Sequence, residues 1–266
     1  MRQSIIQVDA FTDTPYSGNP AAVVVMLQPK NDAWMQAVAR EMNLSETAFV
    51  QMQVTDFKLR WFTPLVEVAL CGHATLASAH VLWEMGILQA HEQARFHTQS
   101  GILTAERIEG NWIELDFPAR YQQPYYDDRQ LGKILGIREA VYVGRYKDDY
   151  LIEVESEEIV RHLNPDHARL KESGVRGVIV TSAASTNGYD FVSRFFAPGS
   201  GIDEDPVTGS AHCILGPYWQ WRMGRSDFVA YQASARGGVV RVRVTANGER
   251  CILGGQAVTV MRGELL

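Results

Sequence analysis

The chain has 266 residues, of which 46% are hydrophobic and 21% charged, so it can fill the core of one large domain or of two ordinary ones. A net charge of −6, without a long run of lysine or arginine, excludes the usual basic surface of a nucleic-acid-binding protein. No stretch approaches the roughly 20 apolar residues of a membrane span, and the first residues lack an apolar signal core. We therefore expect a cytoplasmic protein without a nucleic-acid or membrane partner.

Alternating apolar and β-branched residues predict seven strands in the first half of the chain, interrupted by two helices. The first helix begins after Asn31 or Asp32, either of which can cap it, and ends near Met42. The second runs from Ala74 to Met85 and is apolar or small on nearly all sides, which predicts a helix enclosed by sheet. The predicted strands cover about residues 3–11, 20–27, 46–53, 56–63, 92–99, 101–108 and 111–117.

Residues 118–128 contain two prolines and three tyrosines with little apolar periodicity, which predicts a linker. The second half then repeats the plan of the first, with an enclosed helix near residues 207–222. Its predicted strands lie near residues 140–146, 149–155, 177–183, 189–196, 227–235, 238–246 and 250–261.

One sequence pattern occurs twice, about half the chain length apart. Residues 60–64 (RWFTP) lead through an acidic residue to 71–75 (CGHAT) and a run of small apolar residues. Residues 194–198 (RFFAP) lead through further acidic residues to 206–211 (PVTGSA) and a similar run. The repetition predicts a duplicated unit that faces its own copy across a cleft, with an enzyme active site at the pseudo-twofold interface.

Each copy places a glycine at or near the start of a helix, where backbone N–H groups and the positive end of the helix dipole attract anions. Gly72 and Gly209 allow a close approach of the backbone, and the hydroxyl groups of Thr75 and Ser210 are further donors. We expect these two helix starts to bind a carboxylate. The alternative is that Asp205 is only the N-cap of its helix, with the following proline as the first helical residue.

Glu46 stands at the start of an otherwise apolar stretch, residues 48–50. A carboxylate among apolar neighbours loses solvation, which raises its pKa and lets it take and return a proton near neutral pH. An isomerase needs such a group. The alternative interpretation is an acidic residue that caps or forms a salt bridge at a strand edge.

Several motifs in fixed order resemble the PhzF (phenazine-biosynthesis-like) family over almost the whole chain. The resemblance implies an α+β, diaminopimelate-epimerase-like fold of two pseudo-symmetric halves, each a mixed sheet rolled around a central helix. It implies a first half of residues 1–118, joined by about 256–266, a second half of 119–255, an active site between them and a homodimer. The motifs are residues 8–12 (VDAFT), 17–21 (SGNPA), 43–49 (NLSETAF), 60–64 (RWFTP), 72–75 (GHAT) and 205–211 (DPVTGSA).

The resemblance also implies roles for particular residues. Glu46 would be the acid/base residue that moves a proton between two carbons of the substrate. His73 would steer or protonate the reacting centre, and Asp205 would hold an amino or hydroxyl group. The backbones at Gly72-His73 and Gly209-Ser210 would bind the carboxylate, and Asn19 would line the cleft.

Cys71 offers a second mechanism, because diaminopimelate epimerase and proline racemase use two opposed thiols. The partner of Cys71 should fall at residues 205–208, where no cysteine occurs. A two-thiol racemase is therefore disfavoured, whereas a mechanism with Cys71 opposite Asp205 or Glu46 stays open. The other two cysteines, Cys213 and Cys251, are expected to pack as small hydrophobes, and the three cysteines predict neither a disulfide framework nor a structural zinc site.

Together these observations predict an isomerase or epimerase of a small cyclic or amino-acid-like carboxylate. We expect no metal and no cofactor, because residues 199–201 (GSG) lack the remainder of a nucleotide-binding fingerprint and the acidic residues 203–205 lack the spacing of a cation loop. Two alternatives stay open: a racemase assisted by Cys71, and a small-metabolite-binding protein without turnover.

Overall fold

The computed structural model describes residues 3–126 and 129–266. The chain divides into two compact units, Met1–Phe117 with Ile252–Leu266 and Pro118–Cys251, here called the first half and the second half. The sequence predicts the corresponding boundaries at 118 and about 255. Within the described residues, no helix has the length and apolar character needed to cross a membrane.

The secondary structure follows the predicted order, with additions mainly in the second half. The elements of the first half are β1 (Gln3–Ala10), β2 (Asn19–Met26), α1 (Asp32–Met42), β3 (Glu46–Met52), β4 (Phe57–Phe62), β5 (Glu67–Val68), α2 (Gly72–Glu84), β6 (Ala94–Thr98), β7 (Gly101–Ile108) and β8 (Trp112–Pro118). The elements that follow are β9 (Gln123–Pro124), α3 (Arg129–Leu135), β10 (Tyr142–Tyr146), β11 (Asp149–Glu153), α4 (Glu157–His162), α5 (His167–Glu172), β12 (Gly177–Ala183), β13 (Phe191–Ala197), β14 (Ile202–Glu204), α6 (Gly209–Met223), β15 (Asp227–Gln232), β16 (Gly238–Val244), β17 (Arg250–Gly255) and β18 (Ala257–Leu265).

The first half is a mixed sheet that contains both parallel and antiparallel strand pairs. Strand β1 pairs antiparallel with β18 and with β2, and β2 runs parallel to β3. Strand β3 then pairs antiparallel with β4, which is flanked by the short antiparallel strand β5 and by the parallel strand β6. Strands β6, β7 and β8 continue as an antiparallel meander. The parallel pair β2–β3 matters for the site, because it brings the beginnings of both strands to one edge.

Helix α2 is the central helix of the first half and is buried on almost every side. It packs on strands β1, β2, β3, β7 and β18, so a sequence that is small or apolar all round is what its surroundings require. The hydroxyl groups of Thr75 and Ser78 donate hydrogen bonds to the carbonyl oxygens of Cys71 and Ala74, which satisfies them inside the core. The helix begins two residues before the predicted start at Ala74.

The second half has the same organisation around helix α6. Strand β11 runs parallel to β12, β12 is antiparallel to β13, and β13 is flanked by the short strand β14 and the parallel strand β15. Helix α6 is buried over most of its length and continues through Pro217. Two halves that each combine a mixed sheet with a central helix confirm the predicted α+β fold class.

Several details differ from the prediction, most of them in the second half. Helices α3, α4 and α5 are not predicted from the sequence, and the expected linker 118–128 contains strand β9, which pairs with β10. The rest of that linker prediction includes residues 127 and 128, which lie outside the described residues. The strand predicted over 250–261 is two strands separated at Gln256, whose side chain donates to the carbonyl oxygen of Gly110.

Candidate active site

Three predicted residues of the first half meet at one edge of its sheet. Asn19 begins β2, Glu46 begins β3, and His73 is the second residue of α2. The side-chain nitrogen Nδ2 of Asn19 lies 3.1 Å from Nδ1 of His73, and Nε2 of His73 lies 3.3 Å from Oε2 of Glu46. The Sγ atom of Cys71 lies 3.6 Å from Nδ1 of His73. The imidazole is therefore the hub of this cluster.

A tight turn before β2 holds Asn19 in place. Gly18 has a φ of +64°, and a Cβ atom on it would lie 2.2 Å from the carbonyl oxygen of Ala10. Only glycine fits there, because both the backbone conformation and the close approach exclude a side chain. The buried Asp9 carboxylate also accepts a hydrogen bond of 2.7 Å from the backbone N–H of Tyr16 in the same loop.

His73 is neutral in this environment. Its side chain is buried, and the loss of solvation lowers the pKa of the imidazole to about 3. The Asn19 amide N–H donates to Nδ1, so the imidazole proton resides on Nε2, the nitrogen that faces Glu46. A neutral imidazole whose Nε2 lies 3.3 Å from Oε2 can contact the Glu46 carboxylate without competing for a proton.

The start of α2 lies beside this cluster. Cys71 is the N-cap residue, but its side chain makes no capping hydrogen bond to the helix. The first-turn N–H groups are thus not covered by a cap side chain and can receive an anion. Thr75 does not contribute in the way the sequence suggests: its hydroxyl is fully buried and donates 2.5 Å to the carbonyl oxygen of Cys71.

The second half has its own polar cluster at the start of α6. Asp205 accepts a hydrogen bond of 2.6 Å from the hydroxyl of Thr208, and Thr208 is the N-cap of the helix, which begins at Gly209. The alternative in which Asp205 caps α6 and Pro206 is its first helical residue is therefore wrong. Ser210 is the second residue of the helix and is half-buried.

Gln232 is a residue of this cluster that the sequence does not reveal. It ends strand β15, is fully buried, and accepts a hydrogen bond of 2.8 Å from the backbone N–H of Thr208. Its Nε2 donates to the carbonyl oxygen of Asp205 at 2.7 Å. Gln232 thus fixes the loop that carries Asp205. The only signal in the sequence is an amide side chain at the end of an apolar strand.

Glu46, Cys71 and His73 each present a ligand-type atom, and these atoms lie within 4.8 Å of one another. Oxygen, sulfur and imidazole nitrogen are the donors that zinc accepts, so the group has the composition and spacing of a metal-binding set. The absence of a metal stays a prediction from the sequence.

The two helix starts can now be matched residue by residue. Cys71 and Thr208 are the N-caps of α2 and α6, and His73 and Ser210 are the second residues of these helices. The counterpart of Cys71 is therefore a threonine, which lies in the window of 205–208 where a second thiol is expected for a two-thiol racemase.

An α+β chain with a central helix in each half, and with a carboxylate, a thiol and an imidazole close together at one helix start, has the architecture of the diaminopimelate-epimerase-like fold. The profile of the phenazine biosynthesis-like protein family (PhzC-PhzF) matches residues 8–263. The chain belongs to this family.

Similar proteins agree with this membership. A protein named as an uncharacterized isomerase from Halalkalibacterium halodurans is 52% identical, covering 100% of this chain and 99% of its own. The phenazine biosynthesis-like domain-containing protein 1 of Mus musculus is 41% identical with the same coverage. A crystal structure of a PhzF-family protein from Enterococcus faecalis superimposes with a TM-score of 0.94 at 39% identity and covers both chains fully.

More distant structures extend the likeness of fold. A hydroxyproline epimerase from Agrobacterium vitis has a TM-score of 0.64 at 11% identity, covering 99% of this chain and 92% of its own. At that identity the likeness shows the fold alone. The predicted diaminopimelate-epimerase-like fold is confirmed by these neighbours.

Proposed function

We propose that this chain is a cofactor-free and metal-free isomerase or epimerase that moves a proton between carbons of a small cyclic or amino-acid-like carboxylate. The family and its relatives named as isomerases support the coarser part of the proposal, an isomerase. The observation that carries the finer part is the Glu46 carboxylate, placed 3.3 Å from a buried, neutral His73 at the start of α2. A homodimer and a cytoplasmic location stay predictions.

In the proposed reaction, Glu46 removes a proton from a C–H bond next to the substrate carboxylate, and the electron pair moves onto that carboxylate as an enediolate, extended over an adjoining C=C bond of the substrate when the proton returns to a different carbon. The proton then passes from Glu46 to a carbon of the substrate, which restores the carboxylate of both substrate and enzyme. The Nε2–H of His73 keeps Glu46 oriented through both transfers. Because His73 is neutral and stays so well below neutral pH, it is a donor in this step and not the base.

The helix starts supply the proposed substrate contacts. The backbone N–H groups at Gly72 and Gly209 and the hydroxyl of Ser210 would bind the carboxylate, since helix N-termini favour anions. Asp205 would accept a hydrogen bond from a substrate amino or hydroxyl group. Asn19 acts mainly through its hydrogen bond to His73.

The test is proton NMR in D₂O with a panel of small cyclic and amino-acid carboxylates. We expect the wild type to exchange one substrate C–H for deuterium, and Glu46→Gln to lose this exchange by a factor of about 10²–10⁴, the usual contribution of a general acid/base group. Glu41→Gln is the matched control, because Glu41 is an exposed glutamate of α1 in the same half. Full turnover by Glu46→Gln would overturn the proposal.

A Cys71-assisted racemase is the second candidate, and the 3.6 Å contact between Sγ of Cys71 and Nδ1 of His73 favours it. It predicts that Cys71→Ser abolishes exchange and that alkylation inactivates the protein. If Cys71→Ser retains exchange while Glu46→Gln does not, this candidate fails. Binding of a panel compound without exchange at any carbon would instead favour the third candidate, a metabolite-binding protein without turnover.

A further inference from the structure

The same ion pair occurs in both halves of the chain. In the first half, Nε and Nη2 of Arg60 each lie 2.7 Å from an oxygen of Glu67. In the second half, the same two nitrogens of Arg194 lie 2.7 and 2.8 Å from the oxygens of Glu204. Both pairs are bidentate, the geometry in which guanidinium and carboxylate bind most strongly and most directionally.

The two pairs also occupy the same place in the fold. Each arginine lies on a long strand, and each glutamate lies on the short antiparallel strand that follows it, opposite a phenylalanine: Phe62 pairs with Glu67, and Phe196 with Glu204. In both halves the same number of residues separates this glutamate from the first glycine of the central helix. The ion pair is therefore kept in register, spacing and geometry in both halves.

In the second half, the arginine of the pair makes further contacts besides the ion pair itself. Arg194 is largely buried, and its guanidinium lies 4.8 Å from the ring centre of Phe196. Its Nη1 donates to the carbonyl oxygen of Leu163 at 2.7 Å, where α4 ends. Because Arg194 and Glu204 are mostly removed from water and each side-chain nitrogen of Arg194 donates a hydrogen bond, this pair is not one of the exposed salt bridges that contribute little.

Glu204 is the residue directly before Asp205. The backbone N–H of Asp205 donates to the carbonyl oxygen of Phe195 at 3.0 Å, and its carboxylate accepts from Thr208, the N-cap of α6. The ion pair thus fixes one end of the segment 204–208, and Gln232 fixes the other through its bond to the Thr208 N–H. Movement of Glu204 would move the Asp205 carboxylate and the first N–H groups of α6 together.

We propose that Arg194 and Glu204 are positioning residues, which hold Asp205 and the start of α6 in the geometry that binds the substrate. The inference rests on the proposed function, in which Asp205 and Gly209 contact the substrate. Lysine cannot replace Arg194 here, because it has neither the planar fork nor enough donors for the carboxylate and the α4 carbonyl together.

The experiment compares Arg194→Lys and Glu204→Gln with a control, Arg222→Lys. Arg222 pairs with the buried Glu153 near the opposite end of α6, so its substitution disturbs a similar ion pair without touching the helix start. Hydrogen–deuterium exchange mass spectrometry of residues 202–211 measures the geometry without substrate. We expect exchange about fivefold or more faster in both pair variants, as local opening becomes easier, and unchanged in the control.

The second measurement is kcat and KM for the compound that exchanges with the wild type. We expect kcat/KM to fall about tenfold in Arg194→Lys and to stay within about twofold in Arg222→Lys. If Arg194 acts through Asp205, Arg194→Lys lowers kcat/KM by less than about a further twofold in an Asp205→Asn background. If the role of Arg194 is purely structural, the loss in the double variant is the product of the two single losses. If Arg194→Lys does not fold, Glu204→Gln still tests the positioning role of the ion pair.

The outcomes separate this inference from the proposed function. Normal exchange of residues 202–211 in both pair variants, or losses that multiply with Asp205→Asn, would overturn the positioning role even if Glu46→Gln is inactive. An active Glu46→Gln would overturn the proposed function, while the exchange of residues 202–211 would still decide whether the ion pair holds the start of α6.

Discussion

At the scale of single residues, the chemistry depends on which nitrogen of His73 carries the proton. The Asn19 amide donates to Nδ1, so Nε2 carries the proton and lies 3.3 Å from Oε2 of Glu46, and burial keeps the ring neutral by lowering the pKa of the imidazole. Asn19 thus sets the proton position on His73, although the two hydrogen-bonded side chains are far apart in the sequence.

Glutamine and leucine at position 73 distinguish this donor role from packing. The Nε2 of glutamine can take the place of the Nε2 of histidine, whereas leucine fills the space without a donor. Because a hydrogen bond to a charged group contributes about 1.5–3 kcal/mol, we expect His73→Leu to lower kcat about 10- to 100-fold and His73→Gln to keep most of it. Thermal unfolding of both variants is the control for folding. Equal rates in the two variants would contradict the donor role.

His212 gives a prediction about pH. It is fully buried in α6, and burial lowers the pKa of its imidazole to about 4, although its bond to the Thr208 carbonyl acts in the opposite direction. Between pH 6.5 and 4 the unfolded chain therefore binds the proton and the folded chain does not, so stability falls as the pH falls, by up to about 1.4 kcal/mol per pH unit.

His212→Asn keeps a side-chain N–H for the Thr208 carbonyl but does not titrate. We expect its free energy of unfolding, measured with urea at pH 7 and pH 5, to fall less between these two pH values than that of the wild type. His91→Asn is the control, because it removes an imidazole that is solvent-exposed in the folded chain. A pH dependence unchanged in His212→Asn would show that other groups cause the acid sensitivity.

At the scale of elements, the turn between β1 and β2 decides where Asn19 lies. An alanine at position 18 would combine a left-handed backbone with a contact of 2.2 Å to the Ala10 carbonyl oxygen. Gly86 in the same half has a similar φ of +69° but no atom within 4 Å of an added Cβ. Gly86→Ala thus carries only the strain of the left-handed conformation, about 1–2 kcal/mol.

We expect Gly18→Ala to be less stable than Gly86→Ala by about 1–3 kcal/mol, because the steric contact adds to the strain. We also expect it to lower kcat, since Asn19 and with it His73 are displaced. Urea unfolding and the exchange rate of each variant are the measurements. A Gly18→Ala protein as active as Gly86→Ala would show that the turn does not control the site.

The elements also show what the sequence can and cannot predict. Helix α1 is predicted because Asn31 or Asp32 can cap it, and in the structure Asn31 accepts a hydrogen bond from the Trp34 N–H while Asn43 ends the helix in a left-handed conformation. Helices α3, α4 and α5 have six or seven residues each, too few to show a helical period against the background. Glu46 and His73 are predicted from their motifs. The Asn19–His73 contact follows from the packing of α2 on β2, and the position of the buried Gln232 follows from tertiary packing, so local sequence reveals neither.

At the scale of the whole molecule, the two halves share a scaffold but differ at the positions that correspond to Glu46, Cys71 and His73. In each half, one residue of the neighbouring strand pairs with the arginine of the repeated ion pair. Glu46 lies three residues before this partner in the first half and Gly177 three residues before it in the second, so Gly177 occupies the position of Glu46. Ser210 stands at the position of His73, and Thr208 at that of Cys71. At these positions the second half offers hydroxyl groups and a glycine, none of which exchanges protons readily near neutral pH.

This asymmetry predicts that one carboxylate both removes and returns the proton. With a substrate deuterated at the reacting carbon, in ordinary water and at low conversion, we expect a measurable fraction of the label to reappear in the product, because Glu46 delivers the deuteron before solvent replaces it. Mass spectrometry of the product measures this fraction. Cys71→Ser should leave it unchanged, since in a one-residue mechanism the thiol takes no part in the transfer. Complete loss of label at the lowest conversion, together with an inactive Cys71→Ser, would instead require two residues with separate protons and would assign the second of them to the thiol.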